Sequence, residues 1–317
     1  MRKGLSPSFS SRVGNRVWRA LTAPFRSLIG SLQKPLTEPL ESIAGTLLCN
    51  YQENLIRDHV NPLNRCGRKV FSQSDEDGIT LEIVRRLGLD HGIFAEFGVG
   101  DGLENNTIVL ASLGWRGFWV GGQELAYTLP PDPAPGQRKD IAYIQEFIRK
   151  DNIVALAQQG LALISESKVD VASLDLDGND YYFVDALLTS GFLPKLFIVE
   201  YNAKFMPPIR WKIDYNPDHR WRFDDYFGAS LAEYNDLFQK HGYFLACCNA
   251  ATGMNAFFVH SSYRESFRDV PTDIDVLWSP PRYRLGNNGH PVSIKTVAKI
   301  MNNISTARKT SKPNSQS

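Results

Sequence analysis

Short apolar runs alternate with helix-like segments between residues 70 and 262, and this alternation constrains the fold more than any other feature. Apolar runs that predict strands lie at 93–97, 117–121, 142–148, 171–176 and 196–201. Segments with helical periodicity lie at 72–87, 105–113, 151–164, 181–188 and 230–240. Such alternation is typical of an α/β fold whose parallel sheet is covered by helices on both faces. Two further runs predict a closing antiparallel pair, at 243–248 and 255–260.

The formal net charge of +1 hides an uneven distribution along the chain. Of the 317 residues, 35 are Lys or Arg and 34 are Asp or Glu. Residues 1–37 hold seven Lys/Arg and no acid, and residues 306–317 hold three and no acid. Residues 38–305 therefore hold 25 basic and 34 acidic residues, a net charge of −9. An acidic body gives no support to a dedicated nucleic-acid binder, and we expect no nucleic-acid partner.

The charge pattern and the helical periodicity together predict three regions. Residues 1–40 form a basic, partly helical extension, 41–300 a single domain with its core at 70–262, and 301–317 a disordered polar tail. Residues 1–37 fit a helix on an anionic membrane surface, a cleaved organellar transit peptide, or an extension without a role. Four cysteines without zinc-site spacing, and no apolar run of about 18 residues, favour a cytoplasmic protein, with peripheral membrane contact as the alternative.

The sharpest local feature is EFGVGDG at 96–102, a glycine loop that follows a predicted strand and precedes a predicted helix. Its alternate glycines let the backbone approach a ligand closely, and the helix start offers free N–H groups to an anion. A dinucleotide fingerprint would need glycine in place of Leu103, and no Lys follows as a P-loop requires. Glu96 would repel phosphate but suits a cationic amino group. The combination favours S-adenosylmethionine, and a tight turn without a ligand is the alternative.

The string EFGVGDGLENNT (96–107) resembles motif I of class I S-adenosylmethionine-dependent methyltransferases, and more narrowly the FkbM-type family. Supporting strings are FSQSDEDGI (71–79), GWRGFWVGG (114–122), DNI (151–153), SLDLDGNDYY (173–182), FIVEYN (197–202), YFGASLAEY (226–234) and GMNAFFV (253–259). The resemblance covers roughly residues 70–260. It implies a Rossmann-like, doubly wound, mostly parallel seven-stranded sheet with an antiparallel last strand pair. It also implies methyl transfer, often to a hydroxyl of a carbohydrate or secondary metabolite.

The glycine loop and the resemblance together give a set of expected cofactor contacts. They are Gln73, Glu96, Gly98, Gly100, Asp101, Gly102, Asn106, Glu124 and Asp175. One position departs from the family pattern, because the second strand ends in Gly121 where an acid usually holds the ribose hydroxyls. Glu124 or Gln123 would substitute if the loop curls back. If neither does, cofactor affinity would be weak or lost.

A second carboxylate cluster follows the fourth and fifth predicted strands. Asp175 and Asp177 lie two residues apart and are expected on one side of the pleat, and the next strand ends with Glu200 and Asn202. We expect Asp177, Glu200 and Asn202 to converge as the catalytic group. They would supply a general base for an acceptor hydroxyl, or alternatively bind Mg²⁺. The structural alternative is that Asp175 and Asp177 cap the following helix, a role that Asp180 fits best.

The long segment 203–228 is rich in aromatic and basic residues, and a loop of this composition suits sugar stacking or a phosphate-bearing acceptor. It also fits a lid that packs on itself. The leading prediction is thus an O-methyltransferase acting on a sugar, glycan precursor or other small molecule. One alternative is a non-catalytic interaction protein of the same fold, favoured by Gly121. Another is an enzyme for nucleotide sugars, against which Glu96 argues.

Overall fold

The computed structural model describes residues 40, 42–129 and 139–282. Most of the predicted basic extension, residues 130–138 and the whole predicted tail lie outside the described residues. The chain divides into two compact units, Met1–Asn54 and Leu55–Ser317. In the first unit, residues 42–54 are helical. No helix in the described part is both long and apolar enough to cross a bilayer.

The second unit is built on one seven-stranded sheet with the order β3-β2-β1-β4-β5-β7-β6. The strands are β1 Ile93–Phe97, β2 Arg116–Gly121, β3 Ile141–Gln145, β4 Val171–Leu174, β5 Leu196–Glu200, β6 Tyr243–Cys248 and β7 Asn255–His260. The first five strands pair in parallel, and β7 lies antiparallel between β5 and β6. The predicted Rossmann-like, mostly parallel sheet with an antiparallel last pair is confirmed.

The helices of the second unit follow the predicted alternation. They are α1 Glu76–Arg86, α2 Ile108–Ser112, α3 Ile153–Leu163, α4 Asp180–Thr189, α5 Leu231–Lys240 and α6 Ile274–Leu277, with 3-10 turns at Asn64–Cys66 and Ser261–Phe267. The strands are apolar on both faces because helices cover them. Helix α3 packs on β2 and β3, and α5 packs on β6. The ring of Phe238 on α5 stacks on that of Phe258 at 3.9 Å.

Several elements are shorter than the periodicity predicts, and the missing residues belong to the site. Helix α1 begins at Glu76 rather than at residue 72, and α2 begins at Ile108 rather than at residue 105. Strand β4 ends at Leu174, so Asp175 and Asp177 lie in the loop beyond it. The directions of the Asp175 and Asp177 side chains are therefore set by the loop. The prediction that strand pleating places them on one side is wrong.

The strand order places the site at the centre of the sheet. Strand β1 pairs with β2 on one side and with β4 on the other, so the connections leave in opposite directions at this point. Ligands of doubly wound folds bind in the crevice beyond the carboxyl ends of the strands at such a point. The glycine loop after β1 and the Asp175–Asp177 loop after β4 meet there.

Candidate functional site

The glycine loop adopts backbone conformations that side chains rarely tolerate. Gly98, Gly100 and Gly102 have φ values of +96°, +54° and +84°. The Gly98 N–H donates to the Val120 carbonyl at 2.9 Å. A Cβ on Gly98 would collide with the Asp175 backbone carbonyl. Glycine is therefore required at Gly98 both by the turn and by the close approach of the loops after β1 and β4.

Glu96 holds the start of α2 from beneath the glycine loop. Its buried carboxylate accepts the N–H groups of Asn106 at 2.8 Å and Thr107 at 3.0 Å, and the Thr107 hydroxyl at 2.5 Å. Burial raises the pKa of Glu96 to about 7, while these hydrogen bonds lower it. The Trp119 indole N–H donates to the same Thr107 hydroxyl at 2.9 Å. Glu96 thus binds the backbone at the start of α2 and also lines the amide cavity.

Two cavities share the glycine loop as a common wall. Gly98, Gly100, Asp175 and Asp177 line both of them. The first, of about 400 Å³, is bounded by residues 215–220 and is called the lid cavity. The second, of about 370 Å³, is bounded by Asn105 and Asn106, which precede α2, and by Asn255 of β7. It is called the amide cavity. The site is therefore one cleft with two lobes that meet over the loop and the two aspartates.

Two residues that line the amide cavity each have a buried polar atom for which the described part of the chain supplies no hydrogen-bond partner. These atoms are Nδ2 of Asn105, a donor, and Oδ1 of Asn255, an acceptor. Both residues are more than nine-tenths buried and line the cavity. Because a buried polar atom left unpaired is destabilising, such a pair indicates a ligand that accepts from one atom and donates to the other. Neither atom was predicted from sequence, although NAFFV was among the family-like strings.

The wall that carries Gln73 is fixed by buried acids at the start of α1. One carboxylate oxygen of Asp77 accepts the N–H groups of Val70, Phe71 and Ser72 at 2.7, 2.7 and 2.9 Å. Asp77 is buried and binds the backbone that precedes the helix. The neighbouring acids are buried as well: Asp75 accepts the N–H groups of the turn between β6 and β7, and Glu76 accepts side-chain N–H groups of that turn and of β7. The segment before α1 is consequently bent over the amide cavity, where Gln73 lies.

Three carboxylates converge beyond β4 and β5. Asp175, Asp177 and Glu200 each bring an oxygen within 4.8 Å of the others. Asp175 and Glu200 lie close enough for each to shift the pKa of the other. Burial, followed by the charges of neighbouring acids, raises the pKa of both well above their ordinary values, and burial also raises the pKa of Asp177. Asp177 has a φ of +53°, which turns it toward the cleft wall shared by both cavities.

Asp180, not Asp175 or Asp177, stabilises the loop before α4. Its carboxylate accepts the N–H groups of Leu176 at 2.6 Å and Gly178 at 2.7 Å, and burial raises its pKa to about 6. Asp175 and Asp177 make no cap hydrogen bond to α4 among the described residues.

Asn202 lies at the end of β5 but supports the segment 203–228, hereafter the lid. Its Nδ2 donates to the backbone carbonyls of Asp225 at 2.9 Å and Phe227 at 3.1 Å. The lid is anchored a second time by the side chain of Asn179. Its Nδ2 donates to the Asn216 carbonyl, and its Oδ1 accepts the Asn216 N–H. Asn202 is not among the residues that line either cavity. The converging trio is thus Asp175, Asp177 and Glu200, whereas the sequence analysis expected Asn202 in place of Asp175.

The outer wall of the lid cavity combines aromatic, aliphatic and basic side chains. It consists of Phe147, Ile148, Arg149, Leu176, Phe183, Tyr215, Pro217, His219 and Arg220. The ring of Phe147 is 48% exposed and carries the Arg149 guanidinium at 5.2 Å. Residues 147 and 148 were predicted as the end of a strand, but β3 stops at Gln145, and both residues line this wall instead.

The remaining expected contacts surround the end of β2. Gly121 ends the strand, and its carbonyl accepts the Tyr143 hydroxyl at 3.0 Å and the Glu146 N–H at 2.9 Å. Gln123 lines the lid cavity, whereas Glu124 lines a separate cavity of about 490 Å³. Asp101 and Asn106 line the amide cavity. Gly102 lines neither cavity and packs near Leu125 and Tyr127.

No protein-family model and no curated protein matches the sequence. Solved structures with similar architecture include CalO1, a methyltransferase in calicheamicin biosynthesis in its SAH-bound form, with 15% identity over 80% of this chain and 63% of that chain and a TM-score of 0.31. A putative S-adenosylmethionine-dependent methyltransferase from Listeria monocytogenes has 14% identity over 57% of this chain and 96% of that chain, with a TM-score of 0.32. A putative hemolysin from Streptococcus thermophilus has 12% identity over 77% of this chain and 79% of that chain, with a TM-score of 0.37. At such values, conclusions about chemistry depend on the chain's own residues.

Proposed function

We propose that this protein is an S-adenosylmethionine-dependent methyltransferase that methylates a hydroxyl group. The observation that carries the proposal is the pair of unpartnered amide atoms in the amide cavity, beside the glycine loop. The Asn105 Nδ2 donor suits a carboxylate and the Asn255 Oδ1 acceptor suits an ammonium, the two ends of an amino acid. Carboxylates in the same cleft favour a ligand that also carries a positive sulfonium.

The two lobes match the two halves of this cofactor. In the proposal, the amide cavity holds the methionine end through Asn105, Asn255 and Gln73. The lid cavity holds the adenosine, with the purine against Phe147 and Ile148. When bound, the cofactor supplies a methyl group on a sulfonium sulfur. The absence of a side chain at Gly98 and Gly100 leaves space for the ligand to pass from one lobe to the other.

Asp177 is the residue proposed to take the proton of the acceptor hydroxyl. It lines both cavities, and one of its oxygens lies within 4.8 Å of oxygens of Asp175 and Glu200. Burial raises its pKa from the ordinary value, which brings it closer to the range in which a carboxylate is an effective general base. The anchored lid orders the acceptor side, and exclusion of water there strengthens these interactions.

A non-catalytic protein of the same fold is the second candidate, and Gly121 favours it. β2 has no acid at its end. Of the two residues expected to substitute, Gln123 lines the lid cavity and Glu124 does not, so the ribose hydroxyls would be bound by Gln123 alone. Such a protein would bind S-adenosylhomocysteine weakly or not at all.

Calorimetric titration with S-adenosylhomocysteine and with adenosine tests the assignment of the two lobes. Phe147→Ala should weaken binding of both ligands about tenfold or more, because both contain the purine. Asn105→Ala should weaken binding of S-adenosylhomocysteine and leave adenosine unchanged. Phe223→Ala is the matched control, since this 66% exposed ring lies outside the lining of both cavities. Adenosine binding that is insensitive to Phe147→Ala would refute the assignment.

Mg²⁺ held by Asp175, Asp177 and Glu200 is the alternative role of the carboxylates. Three hard oxygen donors within 4.8 Å are compatible with such an ion. In the general-base proposal, added EDTA leaves S-adenosylhomocysteine affinity and methyl transfer unchanged. Loss of transfer in EDTA that is restored by Mg²⁺ would assign the carboxylates to a metal instead.

A further inference from the structure

We infer that the methyl acceptor carries a phosphate group, which is bound at the mouth of the lid cavity by Arg149 and Arg220. This inference rests on the proposed function and names the substrate class of the same site. The two arginines come from different elements, the segment after β3 and the lid, yet line one cavity.

Neither guanidinium is neutralised within the described part of the chain. Arg149 and Arg220 form no ion pair there, whereas Arg86, Arg116 and Arg210 are each bound to carboxylates. Lys150 adds a third positive charge, with its ammonium at 5.6 Å from the ring of Tyr182 and 5.8 Å from that of Tyr215. Residues 38–305 have a net charge of −9, so a cluster of unpaired cations on this body marks a place where an anion fits.

The geometry of the side chains favours phosphate over a simple halide-like anion. Guanidinium groups bind phosphate through two parallel N–H···O bonds, and two arginines on facing segments can hold one group from both sides. Arg149 is pre-oriented by its stacking on Phe147 at 5.2 Å. The lid that carries Arg220 is anchored through Asn202 and through Asn179 with Asn216.

The charges of the cleft are arranged so that one acceptor spans it. Asp175 and Asp177 line the part of the lid cavity that it shares with the amide cavity, where the hydroxyl must lose its proton, and both arginines are exposed to solvent. Placing phosphate beside the carboxylates would be unfavourable, so the anionic end faces outward and the hydroxyl faces inward. The ring of Tyr215, which also lines this cavity, suits the face of a sugar, while Phe147 is left to the purine of the cofactor. A sugar phosphate carries both a hydroxyl group and an anionic group.

Binding of phosphate compounds can be measured without knowledge of the natural acceptor. The probes are inorganic phosphate, glucose 1-phosphate and uncharged methyl glucoside, titrated into the full chain at low ionic strength. We expect glucose 1-phosphate to bind at least tenfold more tightly than methyl glucoside. In the double variant Arg149→Gln and Arg220→Gln this preference should disappear, and inorganic phosphate should also bind more weakly.

A matched control separates a specific site from general loss of positive charge. Arg264 also stacks on an aromatic ring, Phe244, at 4.4 Å, and it is not part of the cavity. Arg264→Gln should retain the full preference, and thermal unfolding of all variants verifies that each is folded. Phosphate affinity that is equal in the wild type and the double variant would overturn the inference. Titration of the wild type with S-adenosylhomocysteine tests the proposed function separately, because the phosphate result stands whether or not that ligand binds.

Discussion

Replacement of Glu96 by glutamine tests whether a buried carboxylate holds the start of α2 beside the glycine loop. The pKa of Glu96 is about 7 in the folded chain, against an ordinary value of 4.5. Because the folded state holds the proton over a pH range in which the unfolded state has released it, wild-type stability from this group is greatest at low pH. That stability is lost as the pH rises from about 4.5 through about 7. Glutamine does not titrate and shows no such loss.

The magnitude follows from the interval over which the two states differ. Each pH unit of that interval corresponds to ~1.4 kcal/mol. Between about pH 5.5 and about pH 7 the wild type should therefore lose ~2 kcal/mol of unfolding free energy relative to Glu96→Gln, in addition to a constant offset for the altered hydrogen bonds.

Urea unfolding of the wild type and Glu96→Gln, at a series of pH values from about 5.5 to about 8.5, measures this difference. The control is Glu82→Gln, since Arg85 holds the pKa of Glu82 at about 2 and its titration is complete below this range. For Glu82→Gln the difference from the wild type should be independent of pH. A difference that is equally constant for Glu96→Gln would refute the assignment of a raised pKa, and with it the role of burial at the loop.

Three further substitutions, together with one control substitution, test the loop and the lid. Gly98→Ala should abolish S-adenosylhomocysteine binding and lower the melting temperature, because a Cβ there meets backbone at a φ of +96°; unchanged binding would contradict the proposed approach of the two loops. Gly178→Ala should lower stability by about 1–3 kcal/mol in urea unfolding, because its Cβ would lie 2.7 Å from the His219 ring. Gly122→Ala, whose Cβ meets only an ordinary contact at 3.6 Å, is its neutral control, and equal effects would contradict the packing argument. Asn202→Ala should cost about 1–3 kcal/mol and make the lid more sensitive to proteolysis, and an unaltered cleavage rate would show that its hydrogen bonds do not anchor the lid.

The fold could be predicted because the apolar sequences of the strands indicate that the strands are buried. The run LFIV, which forms β5 up to its last residue, is apolar at every position, and this pattern requires cover on both faces. The glycine loop could be recognised because three alternate glycines after a strand have few structural explanations. These features are local in sequence, so a single sequence contains them.

The parts of the site that escaped prediction depend on contacts between distant segments. Asn255 lies on β7 and Asn105 before α2, and only the sheet order brings them to one cavity. Asn202 was expected in the catalytic group because it follows β5, yet its amide is directed to the lid by carbonyls more than twenty residues away. Phe147 was assigned to a strand because its apolar neighbours continue the pattern of β3. Periodicity cannot distinguish such a residue from one that leaves the sheet and lines a pocket.

The central claim is that the two-lobed cleft binds S-adenosylmethionine despite Gly121. Calorimetric titration of the full chain with S-adenosylmethionine tests it most directly, with Gly98→Ala as the comparison. The account predicts one site per chain with a dissociation constant below about 1 mM, and no detectable binding in the variant. Absence of binding to the wild type at several times that concentration, or equal binding by both proteins, would contradict it.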